Sequence, residues 1–104
     1  MSYQNFNDLQ MNVIRWAEAR RIIPNSTPQA QFIKAVSEMG ELADGIAKND
    51  RTLVKDSVGD VLVCFINMCA LMDMDVVDCL AHSWNDIKHR TGTMNEQGVF
   101  VKDK

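Results

Sequence analysis

An all-α fold is predicted for this chain of 104 residues: a four-helix antiparallel bundle completed by homo-oligomerisation, with a short irregular or extended C-terminal tail. Three observations predict it. Apolar residues recur at helical spacing through four segments. Capping and breaking residues separate those segments. The third segment is apolar on nearly every side, which a single layer of neighbouring helices would struggle to cover.

Helix one is expected to start at Asn5 or Asn7 and to run to about Arg21, with Phe6, Leu9, Val13, Ile14, Trp16 and Ala17 as its apolar members. Pro24-Asn25-Ser26-Thr27-Pro28 breaks it. Thr27 then caps helix two, Pro28 fits its first turn, and the apolar set Phe32, Ala35, Val36, Met39, Leu42, Ala43 and Ile46 carries it to Ala47. Lys48-Asn49-Asp50 is a tight connection, and Asp50 caps helix three from about Arg51 to Met72, so helices two and three form an antiparallel hairpin. Helix four begins near Asp73 or Asp75 and ends around Arg90, using Val76, Val77, Leu80, Ala81, Trp84 and Ile87. After Gly92 a turn and a short extended piece are expected, irregular or weakly paired.

Length and uniform composition make residues 1–104 one domain. The apolar run of helix three is too short to cross a bilayer, and Asp56, Asp60 and Asn67 interrupt the longer window. A net charge of −3 and a pI near 5.2 argue against a nucleic-acid-binding module. Cys64, Cys69 and Cys79 are odd in number, lack a C-x-x-C pair and read as reduced core residues. The N-terminal Met1-Ser2-Tyr3-Gln4-Asn5 has neither a basic nor an apolar leader region, so a cytoplasmic protein is expected.

The acidic pattern on the hairpin carries the chemistry. Glu38 and Glu41 are three apart on helix two, and Lys34 and Glu41 both fall within about 60° of Glu38. On helix three Asp56, Asp60 and Asn67 lie within about 40° of one another, among Leu53, Val63, Cys64 and Leu71. A solvated helix face shows the same spacing; Asp60 and Asn67 inside an apolar run do not fit that reading. A carboxylate taken out of water finds a cation or protonates. Hard oxygen ligands at a dry helical interface suit Mg²⁺, or Mn²⁺, with substrate phosphates completing the coordination.

Further residues carry a family resemblance. The order Gln31-x-x-Lys34, Glu38-x-x-Glu41-Leu42, Gly59-Asp60-Val61-Leu62, Asn67 and Lys88-x-Arg90 resembles the MazG-like nucleoside triphosphate pyrophosphohydrolases of the all-α NTP pyrophosphatase superfamily. The tail, Asn85 to Gly92 and then Gly98-Val99-Phe100-Val101-Lys102, is similar to compact single-domain phage and bacterial versions, and the likeness runs from roughly Trp16 to Lys102. The resemblance implies hydrolysis of (deoxy)nucleoside triphosphates between the α and β phosphates, giving a nucleoside monophosphate and pyrophosphate. It implies that Glu38, Glu41 and Asp60 hold Mg²⁺. Family members usually carry E-x-x-D on helix three, whereas Ser57 stands three residues before Asp60 here, with Asp56 one residue earlier. Either Asp56 substitutes, or water fills the place, or one metal is lost.

On this reading Glu38, Glu41, Asp56 and Asp60 form the catalytic and metal-binding set, with Glu41 or Asp56 taking a proton from the attacking water. Lys34, Lys88 and Arg90 hold phosphate oxygens, Asn67 bonds the sugar, base or a ligand water, and Trp16 stacks on the base. Plainer roles stand beside these: Lys88 and Arg90 as helix-end cations, and Trp16 and Trp84 as core. Two rival readings are a catalytically silent nucleotide-binding oligomer, suggested by Ser57, and a ferritin-like carboxylate metal protein. The latter needs a carboxylate-x-x-His motif on two helices, and the chain offers one, Asp86-x-x-His89. A homodimer and a homotetramer are both compatible with the pattern.

Overall fold

The computed structural model describes residues 4–104, so the leader-free reading of Met1, Ser2 and Tyr3 lies outside the described residues. The architecture is helical with a short C-terminal strand pair. Helix α1 (Phe6–Ala19) starts at Asn5, whose side chain accepts the Asp8 N–H at 2.8 Å. It stops two residues short of the expected end because Arg21 turns into the left-handed region, φ 65°, and its N–H returns to the Glu18 carbonyl. A single helical turn, α2 (Ile22–Asn25), then forms within the segment read from sequence as a break; the Asn25 amide donates to the Arg21 carbonyl at 2.9 Å.

The next two helices begin where their caps are written in the sequence. Thr27 Oγ1 accepts the Ala30 N–H at 3.1 Å at the start of α3 (Pro28–Ala47), and Asp50 accepts the Leu53 N–H at 3.1 Å at the start of α4 (Arg51–Leu71). Each such cap is worth about 1 kcal/mol. Between the helices Asn49 adopts φ 54° and the Asp50 N–H returns to the Gly45 carbonyl at 2.9 Å, closing the hairpin. Helix α5 (Val76–Ile87) is capped by Asp75, which accepts from Asp78 at 3.0 Å. Its first N–H, on Val76, donates to Oε1 of the buried Gln10 at 2.8 Å, which ties the start of α5 to α1.

Helix α5 ends at Ile87 rather than near Arg90, and the tail, expected as a turn and a short extended piece, irregular or weakly paired, forms a short strand pair. Strands β1 (Gly92–Met94) and β2 (Phe100–Lys102) pair antiparallel, with Thr93 opposite Val101. The turn has a definite chemistry. Asn95 Oδ1 accepts the N–H groups of Gln97 and Val99, at 3.0 and 2.9 Å, and Gly98 supplies a φ of 79° that a side chain would resist.

Helix α4 is the centre of the molecule. Helices α1, α2, α3 and α5 all pack on it, the longest interface being with α3, and among the described residues α3 packs on no other element. The buried apolar residues are Ala17, Ala35, Cys64, Ile66 and Cys69, three of them on α4, and all three cysteines are free. No helix among the described residues is long and apolar enough to cross a membrane.

Close approach of α3 and α4 rests on Gly45, where a Cβ would stand 3.1 Å from both the backbone nitrogen and Cγ2 of Val54. A backbone nitrogen cannot yield as a side-chain tip can. Gly45→Val is therefore expected to lower stability by about 1–3 kcal/mol through overpacking, despite valine's better helix propensity. Urea unfolding followed by circular dichroism measures it, and a variant as stable as the parent would contradict the tight seam.

Candidate active site

The hairpin register set at Gly45 brings the acidic residues of α3 opposite those of α4. Glu38 is the inward member: its side chain is 14% exposed, and Lys34 Nζ lies 3.8 Å from Oε1. Its other oxygen, Oε2, is buried and has no hydrogen-bond partner. Burial first, and then the charges of Glu41 and Asp60, push the Glu38 pKa up from 4.5, while Lys34 pulls it down. The charges of Glu41 and Asp60 thus reach Glu38 across the α3–α4 seam. Burial, aided by Glu38 and Asp60 and opposed by Lys34, likewise raises the Cys64 thiol.

The remaining candidates fall in several places. Asp56 is exposed and lines an open groove of about 960 Å³ at the hairpin tip, with Gly45, Asn49, Arg51 and Lys55. Ser57, one residue on, is 1% exposed, and its hydroxyl has no partner. Asn67 is 2% exposed, with Oδ1 buried and unpartnered. Lys88 donates to Asn85 at 3.3 Å and Arg90 pairs with Asp86 at 2.8 Å. Both lie just beyond α5, which packs on α1 and α4 and not on α3.

Trp16 and Trp84 are not core in this chain, since both are exposed. Trp16, 43% exposed, shares with Leu9, Asn12, Val13, Asp60 and Val63 a groove of about 410 Å³ between α1 and α4. The Arg20 guanidinium sits 4.8 Å from its ring centroid, a cation–π contact that steadies the indole. The structure therefore brings Trp16 and Asp60 to one cleft, together with Asn12, which sequence reasoning missed. The signal was present: Asn12 is a polar residue four before Trp16, flanked by Leu9 and Val13 on a helix whose partner face is apolar.

Buried Glu38 Oε2 without a partner, next to two further carboxylates, fits a hard divalent cation. Among the described residues no three His, Cys, Asp or Glu side chains form a ready cage. Glu41 and Asp60 are exposed. His82 and His89 are exposed, on α5 and just beyond it, away from α3, which leaves the ferritin-like arrangement without its histidines at the carboxylates.

A profile of the MazG nucleotide pyrophosphohydrolase domain matches residues 26–94, the span that holds the hairpin and all of its acidic residues. The chain belongs to the MazG family. An uncharacterised 18.2 kDa protein from the rep–hol intergenic region of Haemophilus phage HP1 is 46% identical over 74 residues, 68% of this chain. The matched stretch spans 44% of that relative's length. Two solved structures share the fold. A cyanophage S-2L MazG-like pyrophosphohydrolase, bound to dGDP and three catalytic Mn²⁺ ions per active site, is 22% identical with a TM-score of 0.70, covering 98% of this chain and 100% of its own. The Bacillus-conserved MazG protein, a nucleotide pyrophosphohydrolase, is 21% identical with a TM-score of 0.69, covering 93% and 99%.

The raised Glu38 pKa has a definite sign. The folded state holds that proton more tightly than the unfolded chain, so the metal-free protein loses stability as pH rises above 4.5 through the folded pKa, and keeps the full penalty beyond it. In chelator at about pH 7, Glu38→Gln is expected to raise the melting temperature and flatten this part of the pH profile. A lower melting temperature for the variant would show that the ionised carboxylate is compensated in the metal-free fold.

Proposed function

We propose that this chain is a divalent-metal-dependent pyrophosphohydrolase that cleaves (deoxy)nucleoside triphosphates between the α and β phosphates. The supporting observation is the buried, unpartnered Glu38 oxygen set against Glu41 and Asp60. Family membership and the nucleotide and Mn²⁺ held by the cyanophage relative point the same way. Glu38, Glu41 and Asp60 hold the ion. When bound, Mg²⁺ or Mn²⁺ neutralises phosphate charge and makes the attacking water more acidic.

The chain's own groups do the rest. Glu41 or Asp56 takes the proton of the water that attacks the α phosphorus. As the new P–O bond forms, the bond from the α phosphorus to the bridging oxygen breaks and pyrophosphate departs. Lys34, largely exposed and 3.8 Å from Glu38, is free to swing onto a phosphate oxygen once a metal takes its place. Trp16 stacks on the base in the cleft it shares with Asp60, and Asn67 Oδ1 accepts from the sugar or base. Lys88 and Arg90 are engaged within their own segment, so phosphate binding within one chain falls to Lys34. Nucleoside triphosphates are met in the cytoplasm, and the proposal puts the protein there.

The working form is a homo-oligomer. The chain exposes 8122 Å², against about 5,900 Å² for a compact monomer of this mass. Its Cα radius of gyration is 16.3 Å, where about 13 Å is usual for this length. Exposed apolar side chains such as Phe32, Ile33, Val36 and Ile46 of α3 and Val58 and Leu62 of α4 contribute to the excess. Its size, roughly 2,200 Å² per chain, is that of an obligate interface.

Two measurements test the proposal. Incubation with the common NTPs and dNTPs and Mg²⁺ or Mn²⁺ is expected to release pyrophosphate and the matching monophosphate, with Glu38→Gln at least about 100-fold slower. Nucleotide binding without turnover would favour the silent-binder reading. Sedimentation equilibrium is expected to give a dimer or tetramer, and a sharp monomer would refute the assembly.

A further inference from the structure

Helix α5 is fastened to the rest of the chain by its first turn. Val76, Val77 and Cys79 are half-buried there, whereas every residue from Leu80 to Arg90 is exposed. Among the described residues α5 packs only on α1 and α4, and the bond from Val76 to Gln10 is the fastening on the α1 side. On the α4 side each helix brings a thiol. Cys69 lies in the last turn of α4 and Cys79 in the first turn of α5, across a short corner. The corner is tight: Asp73 adopts φ 55°, and the Cys69 carbonyl accepts the N–H groups of Met72 and Met74, at 2.9 and 2.7 Å. Cys69 is buried, and both cysteines are free. Burial first, and then the Cys79 thiol beside it, pushes the Cys69 thiol up from 9.0. Cys64 has different company, since Lys34, Glu38 and Asp60 are the charges that act on its thiol.

Two thiols held together at a packed corner act on each other at a high effective concentration, which favours a bond between them over bonds to outside thiols. We propose that Cys69 and Cys79 are a reversible modification site, closing to a disulfide that pins α5 to α4 when a low-molecular-weight disulfide of the oxidised-glutathione class is present. The half-buried Cys79 is the sulfur that the oxidant reaches. Its thiolate attacks one sulfur of the small disulfide, forming a mixed disulfide on Cys79 and expelling one small thiolate. The Cys69 thiolate then attacks Sγ of Cys79, so that the protein disulfide forms and the second small thiolate leaves. Two protein thiols are oxidised and one small disulfide is reduced to two thiols, with the protons of Cys69 and Cys79 passing to the departing thiolates. In a reducing compartment the bond is transient, present only while the thiol pool is oxidised. It fixes the one turn by which α5, and with it the strand pair, is attached. No residue of the proposed catalytic set takes part, so this inference stands apart from the nucleotide reading.

The test is redox titration of the full chain in glutathione buffers of rising oxidised fraction, with acid quenching, alkylation and peptide mapping by mass spectrometry. Cleavage after Phe65 and before Asp73, Asp75 or Asp78 separates the three cysteines. The parent and Cys64→Ser are each expected to lose two free thiols together and to yield a Cys69–Cys79 linked peptide within one chain, reversed by dithiothreitol. Cys69→Ser is expected to stop at a glutathione adduct on Cys79. The oxidised parent is expected to melt about 5–15 °C above the reduced form, because the bond restricts the unfolded chain, and neither Cys69→Ser nor Cys79→Ser shows that shift. A parent that stays reduced in oxidised glutathione, stops at the adduct on Cys79, or links through Cys64 or between chains overturns the pair. A linked parent that melts no higher than the reduced form overturns the pinning of α5.

Discussion

The close contact of α3 with α4 at Gly45 is the constraint on which the rest depends. Because a glycine lets the Val54 backbone come near, the two helices meet in one register, and the hairpin that closes them is short enough to hold it. That register carries Glu38 and Glu41 to the level of Ser57 and Asp60. A shift of one residue would turn each of these side chains by about 100° and disperse the set. The site is in this sense a by-product of how a helical hairpin is zipped.

The seam carries polar groups that a packed core would not. A helix pair built for stability alone would fill this position with leucine or alanine, and α3 does so at Ala35 and Leu42. Instead a carboxylate oxygen and a hydroxyl are buried without partners, and burial first, with like charges beside it, raises the carboxylate's pKa. Such groups are retained where a ligand compensates them. Asn67, two turns beyond Asp60, likewise buries its Oδ1 without a partner.

The apolar surface follows from the same topology. Since among the described residues α3 packs on α4 and nothing else, its outer face is left to water in the single chain, and α4, apolar on nearly every side, keeps Val58 and Leu62 exposed. Five apolar residues are buried among the described residues, a small core. Burial of the outer α3 face would add apolar contact of the order of 25 cal/mol per Å², which links the assembly proposed above to the stability of the site-bearing hairpin.

Most of the helical layout was legible in the sequence because it is written locally. Thr27, Asp50 and Asn5 cap the helices they precede, and the apolar spacing names the faces that pack. The acidic pattern of Glu38, Glu41 and Asp60 was legible for the same reason, as helical periodicity fixes relative direction within each helix. Where backbone choices depend on more than local pattern, the reading missed: the left-handed turn at Arg21 and the one-turn α2. Distances between helices and burial were decided only by the tertiary structure. It alone separated Asp56, exposed at the hairpin tip, from Ser57, sealed in the seam, and joined Asn12 and Trp16 of α1 to Asp60 of α4. Periodicity states which way a side chain points from its own helix; what it points at depends on where the other helices lie.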